Sequence, residues 1–381
     1  MKILLVGNYL YDGQESMQRF TSLMEQGLAR AGHEVRVCRP PAVAGRLHPS
    51  ESGAGKWLGY LDKFTLLPAV LRRASRWADI VHICDHSNSM YVRYLGGKPH
   101  VVTCHDMLGI RDALARRARW TGRQLQRSIL RGLSRAQHVA CVSEATRSDV
   151  LKLTGIPGSR VSRIYNGLNY PYAPMPTAEA RSRLRELGVK WDRPFLLHIG
   201  SNTWYKNREG VLQIFAALRR HTAEKTPRLV MAGKPWTAAM RKYVSDAGLE
   251  SLVTELAGSM CLKSNKSPAI SNEDLRALYS EARVMLFPSH AEGFGWPIVE
   301  AQACGCAVVT TNRPPMNEVG GMAAVYVDPD DVERAAEVVA GVMDTAVQRR
   351  GPSLENARRF SANGMVQSYI ELYSKILYEH S

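Results

Sequence analysis

The sequence predicts two α/β domains, each a parallel sheet with helices on both faces. Three observations point there. A chain of 381 residues is longer than one hydrophobic core usually serves. Short apolar runs alternate with stretches of helical length through both halves, the pattern of parallel strands joined by helical crossovers. Near the middle, residues 169–176 (NYPYAPMP) place three prolines within six residues, which suits neither a sheet nor a helix interior.

The first half opens with a strand over Ile3 to Gly7 and a helix over Ser16 to Ala31, stopped by Gly32. Glu34 to Cys38 is a second strand, ended by Arg39-Pro40-Pro41. Residues 42–60 read as a Gly- and Ser-rich loop. A helix near Phe64 to Trp77 and strands at Ile80 to Cys84 and Val101 to Cys104 follow. A long helical stretch covers Leu114 to Arg135, and Val139 to Val142 is the next strand. After the prolines the alternation restarts. Strands are expected at Phe195 to Ile199, Leu229 to Ala232, Val253 to Leu256, Val284 to Phe287 and Ala307 to Thr310. Helices are expected at Arg208 to Arg220, Arg241 to Ala247, Glu273 to Ser280, Pro297 to Ala303, Val332 to Met343 and Gly364 to Tyr378. Residues 258–272 are polar and read as a loop. The domain boundaries that follow are 1–172, 173–355 and a terminal helix in 356–381.

Apolar residues make up 45% and charged residues 22% of the chain, the balance of a globular protein. No apolar run reaches the roughly 18 residues of a membrane span. The apolar run after Lys2 is too short for a signal-peptide core, so a cytoplasmic protein is expected, at most peripheral on the inner face of the membrane. The seven cysteines are scattered, and the only close pair, Cys304 and Cys306, has neither zinc-knuckle nor Cys-x-x-Cys spacing. Residues 1–170 hold 25 Lys and Arg against 12 Asp and Glu, a net +13, while residues 171–381 hold 25 against 23, a net +2. A field of that sign draws phosphates, nucleic acid or anionic lipid to the first half.

The segment Glu292 to Glu300 (EGFGWPIVE) carries the most chemistry. It follows a strand and leads into a helix, with Pro297 suited to the first turn. Gly293 and Gly295 allow close approach of a ligand to the backbone. A helix N-terminus there offers free N–H groups and a positive dipole end to a diphosphate. Glu292 can accept from sugar hydroxyls, and Glu300, about one turn into the helix, from a ribose.

Seven residues separate Glu292 from Glu300, and this spacing matches the E-x7-E motif of retaining glycosyltransferases of the GT-B fold. The continuation over residues 300–309 and 312–321 resembles glycosyltransferase family 4. So do Ala140 to Glu144, Ile164 to Gly167, His198 to Gly200 with Lys206-Asn207, and Arg359 to Ser361. The resemblance implies the GT-B architecture, two Rossmann-like domains facing a central cleft, with a C-terminal helix packing back on the N-terminal domain. The N-terminal domain would take the acceptor and the C-terminal domain the nucleotide sugar. It implies that Glu292 binds the donor sugar and Glu300 the ribose. Lys206 would hold the diphosphate, and Phe294 and Gly295 would present backbone N–H groups to it. Gly200, Ser201 and Gly233, at strand ends, complete the expected donor-binding set with Gly293. His105, in Thr103 to Asp106, resembles the family's acceptor-side His-Asp and is expected to touch the donor sugar or assist proton transfer. Together His105, Glu292 and Lys206 form the expected catalytic set. The leaving phosphate would take the acceptor proton on the same face, and domain closure would exclude water.

The chain departs from its relatives in two places. Many carry an Arg a few residues before or directly before the Lys, where this sequence has Ser201 and Tyr205. Lys206, helix N-termini and Arg208 or Lys234 must then neutralise the diphosphate. Relatives often have Gly-Gly after the first strand, and here only Gly13 remains. Asp328-Pro-Asp330 spells D-x-D, but its position matches a turn. No metal and no cofactor beyond the donor are expected.

Arg119, Arg123, Arg127, Arg131 and Arg135 recur every four residues and cover one helical face, opposite Leu114, Ala118, Leu125, Ile129 and Leu133. Like charges at this spacing repel, and an anionic membrane surface or lipid-diphosphate acceptor relieves the cost. The expected activity is transfer of a hexosyl group, mannosyl favoured, to a glycan or lipid-linked glycan. GDP-mannose and UDP-hexoses both stay open as donors, and a small soluble acceptor is the alternative. A nucleic-acid-binding protein needs stacking aromatics beside the arginines, and only Trp120 is there, so nucleic acid is not an expected partner. A dinucleotide oxidoreductase needs Gly-x-Gly-x-x-Gly after a strand, and neither half has it.

Overall fold

The computed structural model describes residues 1–43, 59, 61–115, 120–257 and 270–380. The chain divides into two compact units, Met1–Asn169 with Ala362–Ser381, and Tyr170–Ser361. Each is built on a six-stranded parallel sheet flanked by helices, the GT-B type of α/β fold.

In the first unit the strands are β1 (Lys2–Val6), β2 (Glu34–Cys38), β3 (Ile80–Ile83), β4 (His100–Cys104), β5 (His138–Cys141) and β6 (Val161–Arg163), in the order β2-β1-β3-β4-β5-β6. In the second they are β7 (Phe195–Gly200), β8 (Arg228–Gly233), β9 (Val253–Ala257), β10 (Val284–Phe287), β11 (Ala307–Thr311) and β12 (Val325–Val327), in the order β12-β11-β10-β7-β8-β9. The central strands β3, β4, β8, β10 and β11 are buried along their whole length. Helices must therefore cover both faces, which is why these strands read as continuous apolar runs. In each sheet the direction of chain progression reverses at one place. It lies between β1 and β3 in the first and between β7 and β10 in the second. Ligands of open parallel sheets bind beyond the carboxyl ends of the strands at such switch points.

The prolines of 169–176 begin the second unit and are fastened to it. Arg276, in the helix Asn272–Glu281, donates through Nε to Ala173 O at 2.8 Å and through Nη2 to Pro174 O at 3.2 Å. The amide of Met175 donates to Ser280 Oγ at 3.0 Å. The C-terminal helix Ala362–His380 returns to the first unit. Its Tyr373 hydroxyl lies 2.6 Å from His82 Nδ1, and its Tyr369 hydroxyl lies 2.7 Å from Thr103 Oγ1. It crosses the helix Glu15–Arg30 at Gly27, where an added Cβ would stand 2.5 Å from Val366 Cγ2.

Several elements differ from the sequence expectation. A helix Leu108–Leu114 ends where the long helical stretch is expected to begin, a second helix spans Trp120–Arg135, and residues 116–119 lie outside the described residues. Most of both expected loops, over 42–60 and 258–272, also lies outside them. Strand β6 and the helices Glu144–Thr154, Thr177–Glu186 and Arg350–Ala357 are additional.

Candidate active site

The loop after β7 runs from Ser201 through a short turn, Trp204–Lys206, into the helix Arg208–Thr222. Asn207 joins turn to helix in the left-handed region, at φ 51°. Its side chain accepts from the amide of Gly210 and donates to Pro288 O at 3.1 Å. The amide of His290 donates to Tyr205 O at 2.7 Å. The loops after β7 and β10 are thus stitched together across the switch point. There Lys206 Nζ donates to both oxygens of Glu292, at 2.7 and 2.8 Å. The two side chains are 17% and 8% exposed, so the pair is shielded yet reachable.

The turn after Glu292 depends on Gly295, whose φ of 100° starts the helix Trp296–Ala303 with Pro297 in its first turn. Phe294 is buried and packs edge-on against Phe360, with ring centroids 5.6 Å apart. Glu300 is only 3% exposed. Its Oε2 accepts from the hydroxyl of buried Tyr279 at 2.8 Å, which fixes the carboxylate's orientation. Gly200 and Gly233 are register partners at the ends of β7 and β8. An added Cβ on Gly233 would stand 2.1 Å from Gly200 O, so two strand-end turns meet there without room for a side chain. Ser201 Oγ lies 3.1 Å from Thr203 Oγ1, within its own loop. The carboxylates of the D-x-D sequence accept from Arg313 Nη2, Asp328 at 3.2 Å and Asp330 at 2.8 Å, and Asp330 N closes a turn onto Asp328 Oδ1. Among the described residues no cluster of three His, Cys, Asp or Glu could hold a metal.

The switch point of the first unit is also polar. Asn8, after β1, donates to Asp85, after β3, and to Gln14. Burial pushes the Asp85 carboxyl up, but His86 and Ser87 against it hold it well below the usual carboxylate range. Gly13 sits in the left-handed region at φ 61° and ends the turn Leu10–Asp12. His105 is buried, edge-on to Phe20, and its Nε2 lies 2.9 Å from Cys84 O. That nitrogen therefore carries the proton, and among the described residues Nδ1 has no hydrogen-bond partner. Burial pushes the His105 imidazole down, which keeps it neutral. His82 lies within the core, its pKa pushed down to about 3 by burial.

Family models cover nearly the whole chain. That for Glycosyltransferase Family 4 matches residues 17–170, and that for Glycosyl transferases group 1 matches residues 181–364. The chain belongs to the family 4, group 1 glycosyltransferases. It is 26% identical over 347 residues to the O-antigen chain mannosyltransferase B of Escherichia coli, covering 87% of this chain and 86% of that one. It is 26% identical over 367 residues to the GDP-mannose:cellobiosyl-diphosphopolyprenol alpha-mannosyltransferase of Xanthomonas oryzae pv. oryzae, covering 90% and 86%. Among solved structures it resembles Anabaena HepE in complex with UDP and glucose, with a TM-score of 0.75, 18% identity and coverage of 98% and 100%. That likeness concerns the fold.

In this glycosyltransferase, Lys206, Glu292, Gly293, Phe294 and Gly295 come together at one switch point, with Gly200 and Gly233 at the neighbouring strand ends. Glu300 lies in the helix that follows, enclosed more deeply than a solvent-facing ligand group. His105 and Gly13 belong to the first unit. Sequence reasoning missed Tyr279, which reads as one more aromatic of an apolar run, and Asn207, whose backbone conformation has no signal beyond the residue type. Arg123 is half-buried, and Arg127, Arg131 and Arg135 are exposed, while Ile129 and Leu133 fill the core beneath. Arg119 lies outside the described residues. Leu67 and Leu71, from the helix Leu67–Ser75, pack into that same core layer. Leu61, Phe64, Leu66 and Val70 beside them are exposed, an apolar surface that sequence reading did not single out.

Proposed function

We propose that this glycosyltransferase moves a hexosyl group, mannosyl first, from a nucleoside-diphosphate sugar to a hydroxyl of a glycan or lipid-linked glycan. Retention at the anomeric carbon and independence of metal are part of the proposal. The observation that carries it is the Lys206–Glu292 pair at the β7/β10 switch point. It puts a cation for the diphosphate and a carboxylate for sugar hydroxyls within one donor's reach. The mannosyl preference draws on the names of the E. coli and Xanthomonas relatives, the second of which specifies GDP-mannose and a diphosphopolyprenol-linked acceptor. The UDP and glucose of the Anabaena complex favour a UDP-hexose as the second reading.

In this reaction the bond from the anomeric carbon to the phosphate oxygen breaks with oxocarbenium character. The acceptor oxygen bonds to that carbon on the same face, and its proton passes to the leaving phosphate. Lys206 and the N–H groups around Gly295 stabilise the charge that develops there, which is electrostatic and positional work. Glu292 holds the sugar and Glu300 the ribose. A thermal-shift screen of GDP-mannose, UDP-glucose, UDP-galactose and UDP-GlcNAc tests this. One donor is expected to raise Tm with or without EDTA, with about tenfold weaker binding in Glu300→Ala, the scale of a lost charge-assisted hydrogen bond. No response to any donor would sink the donor reading, and loss of the response in EDTA would sink metal independence. NMR of the product's anomeric proton reads retention directly.

The surface of the first unit supports an anionic membrane as a second partner. Arg127, Arg131 and Arg135 are exposed on the helix Trp120–Arg135 of the first unit, and Leu61, Phe64, Leu66 and Val70 are exposed in and just before the helix Leu67–Ser75. Exposed apolar and basic side chains on one unit suit an interfacial site, with roughly 1 kcal/mol per basic residue near an anionic surface. Replacing the three arginines with Gln is expected to cut co-sedimentation with phosphatidylglycerol vesicles by about 100-fold in affinity, and to leave that with phosphatidylcholine unchanged. Equal binding of wild type and triple variant to both vesicles would refute it.

A further inference from the structure

Several buried polar atoms without a hydrogen-bond partner lie on or just after the interior strands β7, β8 and β10 of the second sheet. Among the described residues they include Arg208 Nε and Nη2, His198 Nε2, Trp236 Nε1 and Ser289 Oγ. His198 belongs to β7, and the other residues follow β7, β8 and β10. Native interiors satisfy such groups, so a cluster of them marks a place where something else completes the set.

Arg208 stands out within the cluster. It opens the 15-residue helix Arg208–Thr222 and is only 4% exposed. Its Nη1 donates to the Asn202 side chain and, at 2.7 Å, to Lys234 O. Asn202 Nδ2 in turn donates to Pro235 O at 2.7 Å. The guanidinium thus laces the loop after β7 to the loop after β8. Among the described residues it has no carboxylate within ion-pair distance. Glu255, the acid whose charge acts on it, is itself engaged by Arg241 at 2.6 and 3.0 Å and by the amide of Trp236 at 2.7 Å. Burial pushes the Arg208 guanidinium down from its usual range. A buried cation without a counter-ion is costly, and the positive end of its own helix adds to that field. Lys206, two residues earlier, has Glu292 as its counter-ion. The field at the carboxyl end of β7 therefore calls for an anion.

We propose that Arg208 is the second cation of the donor-diphosphate site, a positioning residue that holds the two phosphate-facing loops and whose charge the diphosphate neutralises. This rests on the donor reading above. It also accounts for Ser201 and Tyr205 standing where an arginine was expected, because the second positive charge enters from the helix side of Lys206.

Calorimetric titration of the full chain with GDP, UDP, guanosine and uridine tests the assignment. The informative quantity is the affinity ratio of diphosphate to nucleoside. Arg208→Gln is expected to lower that ratio at least tenfold with nucleoside affinity held within twofold, and Arg208→Lys to recover part of it. A purely structural arginine would weaken nucleoside and diphosphate alike, and that result, or an unchanged ratio, would overturn the proposal. Should Arg208→Gln fail to fold, Arg208→Lys decides alone. Its ammonium cannot span both loops, so a several-fold lower ratio is expected and an unchanged one overturns the assignment. A wild type that binds neither diphosphate would overturn the donor reading and Arg208's role with it. A wild type that binds one of them without dependence on Arg208 would overturn only the latter.

Discussion

Lys206→Ala is expected to lower kcat/KM for sugar transfer by about 10²–10³-fold, the usual effect of removing one preorganised charge-stabilising donor. The structure adds a second consequence. Lys206 neutralises Glu292 through two short hydrogen bonds in a largely buried pocket. Removing the lysine leaves a carboxylate desolvated and unpaired, at about 1–3 kcal/mol of stability. Glu292→Gln removes the competitor for the ammonium. It is expected to bind the nucleoside diphosphate at least as tightly as wild type while losing sugar transfer, because only the sugar contact is cut. The double variant should recover stability that Lys206→Ala loses, since no uncompensated charge remains. Urea unfolding and diphosphate titration of the three variants check this. Weaker diphosphate binding in Glu292→Gln would show that the pair acts as a fixed strut and is not re-partnered by the donor.

The parts legible in the sequence are those fixed by local chemistry. The glycines and Pro297 around Glu292 announce a strand–turn–helix by residue type alone, and the structure forms it at Trp296–Ala303. The apolar runs of β3, β4, β10 and β11 are legible because both of their faces are buried. The helix Thr177–Glu186 was not legible. Only Ala180 and Leu184 on it are buried, too few apolar positions to mark a 3.6-residue period. Strand β6 has three residues at the sheet edge, too short to alternate. The prolines of 169–176 stand outside regular structure, as their residue type requires, yet their attachment depends on Arg276 a hundred residues on. The same limit hid the coupling of Tyr279 to Glu300 and of Arg208 to Lys234, since each needs the order of the strands before the partners are neighbours.

The C-terminal helix should control the stability of the first unit out of proportion to its length. His82 is buried, and its pKa of about 3 keeps it neutral at any ordinary pH. A neutral ring has one donor and one acceptor, and both are used. Nδ1 shares a hydrogen bond with the Tyr373 hydroxyl and Nε2 with the Thr103 hydroxyl, which in turn meets Tyr369. Strands β3 and β4 are therefore tied to the helix by a continuous chain of hydrogen bonds, with the His82 and Tyr369 rings stacked at 4.9 Å. Tyr373→Phe leaves Nδ1 buried without its hydrogen-bond partner and is expected to cost about 1–3 kcal/mol. Tyr369→Ala empties a fully buried aromatic site and should cost about 3–5 kcal/mol. The loss is expected in the first unit alone. Hydrogen–deuterium exchange should quicken in β3, β4 and the helix Glu15–Arg30, with β7 and β10 unchanged. Faster exchange throughout both units would mean that the helix holds the whole chain together, and no change in β3 or β4 would mean that these hydrogen bonds contribute nothing.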